Sequence, residues 1–296
     1  MNTATPCMEQ HVTFPCNGKP LFGILHRPED GIGPGSRLGM IMVNAGIRSR
    51  RGPNRLYVRF ARRLSRAGYY VLRYDPPGIG DSPGQITSLS AYRKAFLDCS
   101  DSTTAAIDYF KGHTDVTTIG LTGICGGAYS AMVAAAADHR VELMILASLP
   151  VQQMGEISEK STLGMTLGSF LRKAGKPQSY YRFLTGKSQY RWILKATGYV
   201  LSGHYRSPDL DVALWEANKT FLSAGRPILY IYGTEDPLYQ AFRKEYQGRL
   251  KDLDPTHRLF RIHLIQNGNH SFTQIHWQEQ LVEASLNWLR HHSGPQ

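Results

Sequence analysis

Gly123-Ile124-Cys125-Gly126-Gly127 sets a nucleophilic side chain among glycines, directly after the apolar run Val116-Thr117-Thr118-Ile119-Gly120-Leu121-Thr122 and directly before the alanine-rich stretch 128–137. The run reads as a buried strand, and the alanine-rich stretch as a helix that begins just past Cys125. A sharp strand-to-helix turn holds its central residue in strained backbone, so the flanking positions must be small enough for neighbouring backbone to pass. Gly123 and Gly127 meet that need. The pattern is a nucleophile elbow with sulfur where oxygen is usual. Helix N–H groups beside the sulfur favour negative charge there, and the anion is the reactive form of a thiol. The backbone N–H of Gly126 is placed to donate one half of an oxyanion hole. Taken alone, the pentapeptide also fits a buried structural cysteine at a glycine-bounded strand end.

A cysteine nucleophile needs a base, and the base needs an orienting acid, so two further sites are expected at later strand ends. The strand Ile228-Leu229-Tyr230-Ile231-Tyr232 runs into Gly233-Thr234-Glu235-Asp236-Pro237, which offers a carboxylate. Asp236 is preferred over its neighbour Glu235 because a short side chain before proline suits the turn. The strand around His263-Leu264-Ile265 runs into Gln266-Asn267-Gly268-Asn269-His270-Ser271-Phe272, which offers an imidazole at His270. The second oxyanion donor is expected from the loop after the strand Leu38 to Val43, where Ala45, Gly46 or Ile47 supplies a backbone N–H. Asp75-Pro76-Pro77-Gly78-Ile79-Gly80-Asp81-Ser82 reads as a tight turn that packs beside the pocket rather than taking part in chemistry.

Strands and helices alternate along most of the 296 residues. Strands are expected at 20–28, 38–43, 69–74, 117–122, 141–147, 227–232 and 259–265, with helices at 54–67, 88–111, 128–137, 239–250 and 276–290. Residues before Cys16 read as an irregular start. The rhythm implies a mostly parallel sheet with helices on both faces and active residues at the carboxyl ends of the strands. It breaks at 150–225, which is too long for a crossover connection and mixes Lys and Arg with Phe170, Tyr180, Tyr181, Phe183, Tyr190 and Trp192. A helical lid is the expected form. The chain therefore divides into a first core part at 1–149, a lid insertion at 150–225 and a second core part at 226–296.

A hydrophobic content of 42% with 19% charged residues is ordinary for a soluble globular protein, and no apolar run is long enough for a membrane helix. The first 16 residues lack a basic start followed by an apolar core, so a cytoplasmic location is expected. Cysteines at 7, 16, 99 and 125 match no metal spacing, and neither metal nor cofactor is expected. The formal charge of +11 raises the question of nucleic acid. Its distribution argues otherwise. Between Asn44 and Tyr74 there are nine arginines and no acid; Arg55, Arg59, Arg62, Arg63 and Arg66 form a solvated helical face, while Arg48, Arg50 and Arg51 sit in a loop bordering the expected site.

Together, Asn44-Ala45-Gly46, the turn at 75–82, the elbow at 123–127, Gly233-Thr234-Glu235-Asp236 and Asn269-His270 resemble the α/β-hydrolase superfamily over nearly the whole chain. The order nucleophile, acid, histidine is the one found there. Within it, the cysteine elbow and the stretch from Arg55 to Ser82 are similar to the hydrolases associated with exosortase systems, and more distantly to the serine aminopeptidase-like branch. Dienelactone hydrolase-type enzymes and some thioesterases also carry cysteine at this place. The resemblance implies an α/β-hydrolase fold with a lid and a Cys125-His270-Asp236 triad working through an acyl-cysteine. A thioesterase or acyltransferase acting on acyl thioesters of coenzyme A or a carrier protein is the expected activity, with Arg48, Arg50 and Arg51 receiving phosphates or an acidic partner face. A carboxylester or lactone hydrolase, and a non-catalytic binding protein of the same fold, are the alternatives.

Overall fold

The computed structural model describes residues 8–28, 37–44, 46–86, 100–152 and 210–292. Two compact units are present, one of Met1–Val151 with Val212–Gln296 and one of Gln152–Asp211. Of the smaller unit, only its two ends fall within the described residues, where Gln152 and Leu210 form an isolated antiparallel bridge. The lid expected over 150–225 therefore lies largely outside the described residues, as do Cys7, Ala45 and Cys99.

The larger unit is built on eight strands: β1 (Met8–Cys16), β2 (Lys19–Arg27), β3 (Leu38–Val43), β4 (Tyr70–Tyr74), β5 (Thr118–Ile124), β6 (Val141–Ala147), β7 (Ile228–Gly233) and β8 (Phe260–Ile265). Their order across the sheet is β1-β2-β4-β3-β5-β6-β7-β8. β1, β2 and β4 pair antiparallel, and every later pairing is parallel. β3 and β7 are buried along their whole length, which explains their unbroken apolar sequence. At the edge, β1 replaces the expected irregular start. Val12, Phe14 and Cys16 point inward in alternation, and Pro15 is tolerated because an edge strand has one unpaired side. The turn into β2 is Asn17-Gly18, both at positive φ, the geometry that closes a two-residue hairpin.

Seven α-helices among the described residues flank the sheet: α1 (Leu56–Arg66), α2 (Ser100–His113), α3 (Gly126–Ala137), α4 (Val212–Ser223), α5 (Pro237–Glu245), α6 (Gln247–Leu253) and α7 (Ile275–His292). α1 and α7 bury Leu56, Phe60, Leu64, Leu281 and Leu286 against Met40, Met42, Ile145 and Ile231 of the sheet. Each such side chain contributes roughly 1.5–3 kcal/mol of burial. On the opposite face, α3 packs with α2 and α4. α4 falls within the range expected for the lid, yet it belongs to the core unit: Leu214, Phe221 and Leu222 are buried, and Asn218 Nδ2 donates to the buried Tyr230 hydroxyl at 2.5 Å. α1 starts two residues later than its sequence suggests, because Asn54 and Arg55 adopt left-handed backbone at φ 49° and 60°. No helix among the described residues is long and apolar enough to cross a membrane.

Candidate active site

Parallel pairing brings the carboxyl ends of β3, β5, β7 and β8 to one edge of the sheet, and the candidate residues follow directly after those ends. Cys125 joins β5 to α3 at φ 55° and ψ −119°, a conformation that costs roughly 1–3 kcal/mol and persists only under surrounding constraint. The constraint is visible. The Cys125 N–H donates to Ala147 O at 3.0 Å, and its carbonyl accepts from Tyr129 at 3.1 Å. A Cβ on Gly123 would stand 2.3 Å from the Gly127 backbone, and one on Gly127 would stand 2.5 Å from the carbonyl oxygens of Val43 and Asn44. The glycines thus let β5, α3 and the end of β3 press together around the sulfur.

A side chain not singled out in the sequence joins the same elements. The buried Tyr57 hydroxyl of α1 donates to Val43 O at 2.7 Å and accepts the Ile124 N–H at 3.0 Å. Tyr57 sits in Leu56-Tyr57-Val58, which reads as ordinary core; only the meeting of two strand ends at its hydroxyl reveals a positioning role.

The acid and the histidine arrive on two loops that touch. Gly233 lies so close to Gly268 that a Cβ would meet its carbonyl oxygen at 2.1 Å, and the Glu235 N–H donates to that oxygen at 3.0 Å. Asn267 N–H donates to Thr234 Oγ1 at 2.8 Å. Glu235 is exposed, whereas Asp236 is buried and caps α5 by accepting the Leu238 N–H at 3.0 Å. His270 Nδ1 lies 3.1 Å and 3.2 Å from the two Asp236 oxygens. The loop is braced by Ser148, whose hydroxyl donates to His270 O at 3.1 Å. Burial of the ring depresses its pKa, but the hydrogen bond to Asp236, the influence of the neighbouring Cys125 sulfur and the Asp236 charge outweigh it. The imidazole pKa is pushed up to about 10.

Cys125 and His270 open onto a cavity of about 750 Å³ that is also lined by Ile47, Arg48, Arg51 and Arg55. Of the expected oxyanion donors, Gly126 opens α3 beside the sulfur, and Ile47 borders the cavity. Gly46 is used differently, since its N–H turns back on Asn44 O at 2.9 Å. Asn44 is buried and fixes the loop by donating from Nδ2 to Arg48 O at 2.7 Å.

Arg50 does not line the cavity. Its guanidinium grips the fully buried Asp75, and a second nitrogen meets Asp81 at 2.6 Å. Asp75 also accepts the Arg50 N–H at 2.5 Å and the Asp81 N–H at 3.0 Å, so the turn at 75–82 is folded around this carboxylate. Beneath it, Arg73 is buried against His26 with a 2.8 Å hydrogen bond, and burial together with the arginine charge pushes the His26 pKa down to about 3.

With this geometry in place, the comparisons with known proteins agree on the fold. Residues 50–284 match the model of the alpha/beta hydrolase family. The chain belongs to that family. It is an enzyme of the hydrolase type. No curated protein matches this alpha/beta hydrolase. Among solved structures it is similar to the esterase Pf2001 of Pyrococcus furiosus, at 19% identity and a TM-score of 0.60, with 97% of this chain and 92% of that one covered. It is also similar to Est1E of Butyrivibrio proteoclasticus with bound ferulic acid, at 16% identity and a TM-score of 0.58, covering 95% and 98%. The alpha/beta hydrolase GrgF of Penicillium sp. sh18 matches at 16% and 0.57, covering 97% and 98%.

Proposed function

We propose that this hydrolase works by covalent acyl transfer through Cys125, as a thioesterase or acyltransferase acting on acyl thioesters of coenzyme A or a carrier protein. The observation that carries the reading is the His270 ring, bonded to Asp236 through Nδ1 and lining the same cavity as Cys125. Asp236 orients the ring and favours its charged form, as the acid of a triad does.

The raised pKa of His270 favours the imidazolium at neutral pH, so a charged ring stands beside the sulfur. The sulfur anion attacks the acyl carbon, and the carbonyl oxygen takes the negative charge. The N–H groups of Gly126 and Ile47 are the donors assigned to that oxygen. Collapse expels the departing thiolate, which takes the proton from His270. The ring is now neutral. It removes a proton from water or from an acceptor hydroxyl or amine as that group attacks the acyl-cysteine, and Cys125 leaves as the anion opposite a restored imidazolium. Thioesters suit this sequence because exchange between two thiols is nearly balanced in energy, and because a thiolate departs more readily than an amine.

Intact-protein mass spectrometry after incubation with a panel of acyl thioesters and esters tests the proposal. An acyl adduct is expected on the wild type, absent from Cys125→Ala and long-lived in His270→Ala. A wild-type protein that stays unmodified by every thioester sinks it. The esterase Pf2001 among the structural relatives favours a second reading, hydrolysis of a small carboxylester. Turnover of short aryl esters at rates matching or exceeding those of thioesters would select it.

A further inference from the structure

We propose that Arg48, Arg51 and Arg55 form an anion clamp, and that the acyl donor carries an oxyanion group, phosphate or carboxylate, that they bind. The proposal rests on the acyl-cysteine reading and names the substrate class for that site. It starts from how the arginines between residues 44 and 74 are used. Arg50, Arg62, Arg63 and Arg73 each face a carboxylate: Asp75 and Asp81, Glu9, Glu283, and Glu9 again. Arg59 is held by Gln278 and by the Asn54 carbonyl at 3.0 Å. Arg48, Arg51 and Arg55 combine two features that the others do not. All three line the cavity that contains Cys125 and His270, and no carboxylate among the described residues pairs with any of them.

Their backbone is fixed before any ligand arrives. Asn44 holds the Arg48 carbonyl at 2.7 Å, the Tyr57 N–H holds the Arg51 carbonyl at 3.2 Å, and Gly52 N–H closes onto Ser49 O at 2.9 Å. Arg50, between the two cavity-lining arginines of the loop, anchors it to Asp75 and Asp81. Arg55 follows Asn54 in left-handed backbone at the entrance to α1. Three guanidinium groups around one cavity repel each other until a group with several anionic oxygens joins them, and the planar fork of arginine matches such oxygens two at a time. Arg55, read from the sequence as part of a solvated helical face, replaces Arg50 in the set that meets the substrate.

Three probes with a common reactive thioester separate the sources of the anion: acetyl-coenzyme A, with phosphates on the thiol side; succinyl-N-acetylcysteamine, with a carboxylate on the acyl side; and neutral acetyl-N-acetylcysteamine. In the wild type, kcat/KM for one charged probe is expected to exceed that for the neutral probe by tenfold or more, with the preference shrinking as salt rises. In Arg51→Gln/Arg55→Gln, and separately in Arg48→Gln, that preference should fall by about tenfold. Which charged probe shows the effect assigns the anion to the thiol or the acyl side. Equal kcat/KM for all three probes in wild type and variants overturns the clamp while leaving the acyl-cysteine intact. Isothermal titration of coenzyme A and of succinate into Cys125→Ala provides a readout without turnover. Binding of either that is lost when Arg48, Arg51 and Arg55 are all replaced by Gln in that background supports the clamp even where no thioester acylates the wild type; absence of both, with acylation intact, overturns it.

Discussion

Tyr57 and His270 show how single side chains set the site. Tyr57→Phe removes the hydroxyl that satisfies both Val43 O and the Ile124 N–H, leaving two buried backbone groups without their partner. A loss of about 1–3 kcal/mol is expected from urea denaturation, and kcat for acylation should fall while KM changes little, because the strand ends that carry the sulfur and the loop after Val43 lose their common tie. For His270, the pKa in the fold is about 10 against 6.5 for the free side chain. Its raised value means that the charged ring stabilises the fold fully below about pH 6.5, and that this contribution is lost as pH rises through about 10. Thermal denaturation of the wild type and His270→Gln should therefore differ most at pH 6 and converge by pH 10 and above. An NMR titration of the ring in Asp236→Asn should show its pKa moving down; an unmoved value would contradict the assigned cause.

At the scale of elements, the elbow depends on contact between backbones. Alanine has the better helix propensity, by about 1 kcal/mol over glycine, so Gly127→Ala would stabilise an exposed helix start. Here the added methyl meets the Val43 and Asn44 carbonyls at 2.5 Å, and these are strand atoms that cannot rotate away. Net destabilisation of at least 2 kcal/mol is expected by denaturant melts, roughly the upper range for overpacked positions, and Gly123→Ala should behave alike. Much of this element was legible, because Gly-X-Cys-X-Gly between an apolar run and an alanine-rich run admits few structures. The loops carrying Asp236 and His270 were legible for the same reason: each follows an apolar run and carries turn-forming residues. β1 was not, since Glu9, Gln10 and His11 mask an alternation that begins only at Val12, although Asn17-Gly18 marks its hairpin. α4 was absorbed into the expected lid because its neighbours are basic and aromatic; the apolar face of Leu214, Phe221 and Leu222 that packs it on the core is short.

Across the whole molecule, the positive charge is divided between structure and site in a way that composition cannot show. Arg50 and Arg73 are folded into a polar layer with Asp75, Glu9 and His26, where the carboxylates that pair with them lie far away in sequence from most of their partners. Sequence position therefore groups Arg50 with Arg48 and Arg51, whereas the fold separates it from them. Arg50→Met leaves the buried Asp75 without its guanidinium, and a cost of about 3 kcal/mol is expected, or roughly 6–12 °C in Tm by calorimetry. A variant that melts with the wild type would remove Arg50 from its structural role.

The grip of Arg50 on Asp75 has one more consequence, for how the protein can diversify. None of residues 75–82 lines the cavity of Cys125 and His270, yet the turn anchors the loop that presents Arg48 and Arg51. Changes in the length or composition of that turn would re-aim those two side chains without altering Cys125, Asp236 or His270. Substrate choice can then drift through a remote turn while Cys125, Asp236 and His270 stay constant, and libraries aimed at new acyl donors would do well to vary residues 76–82 alongside those that line the cavity.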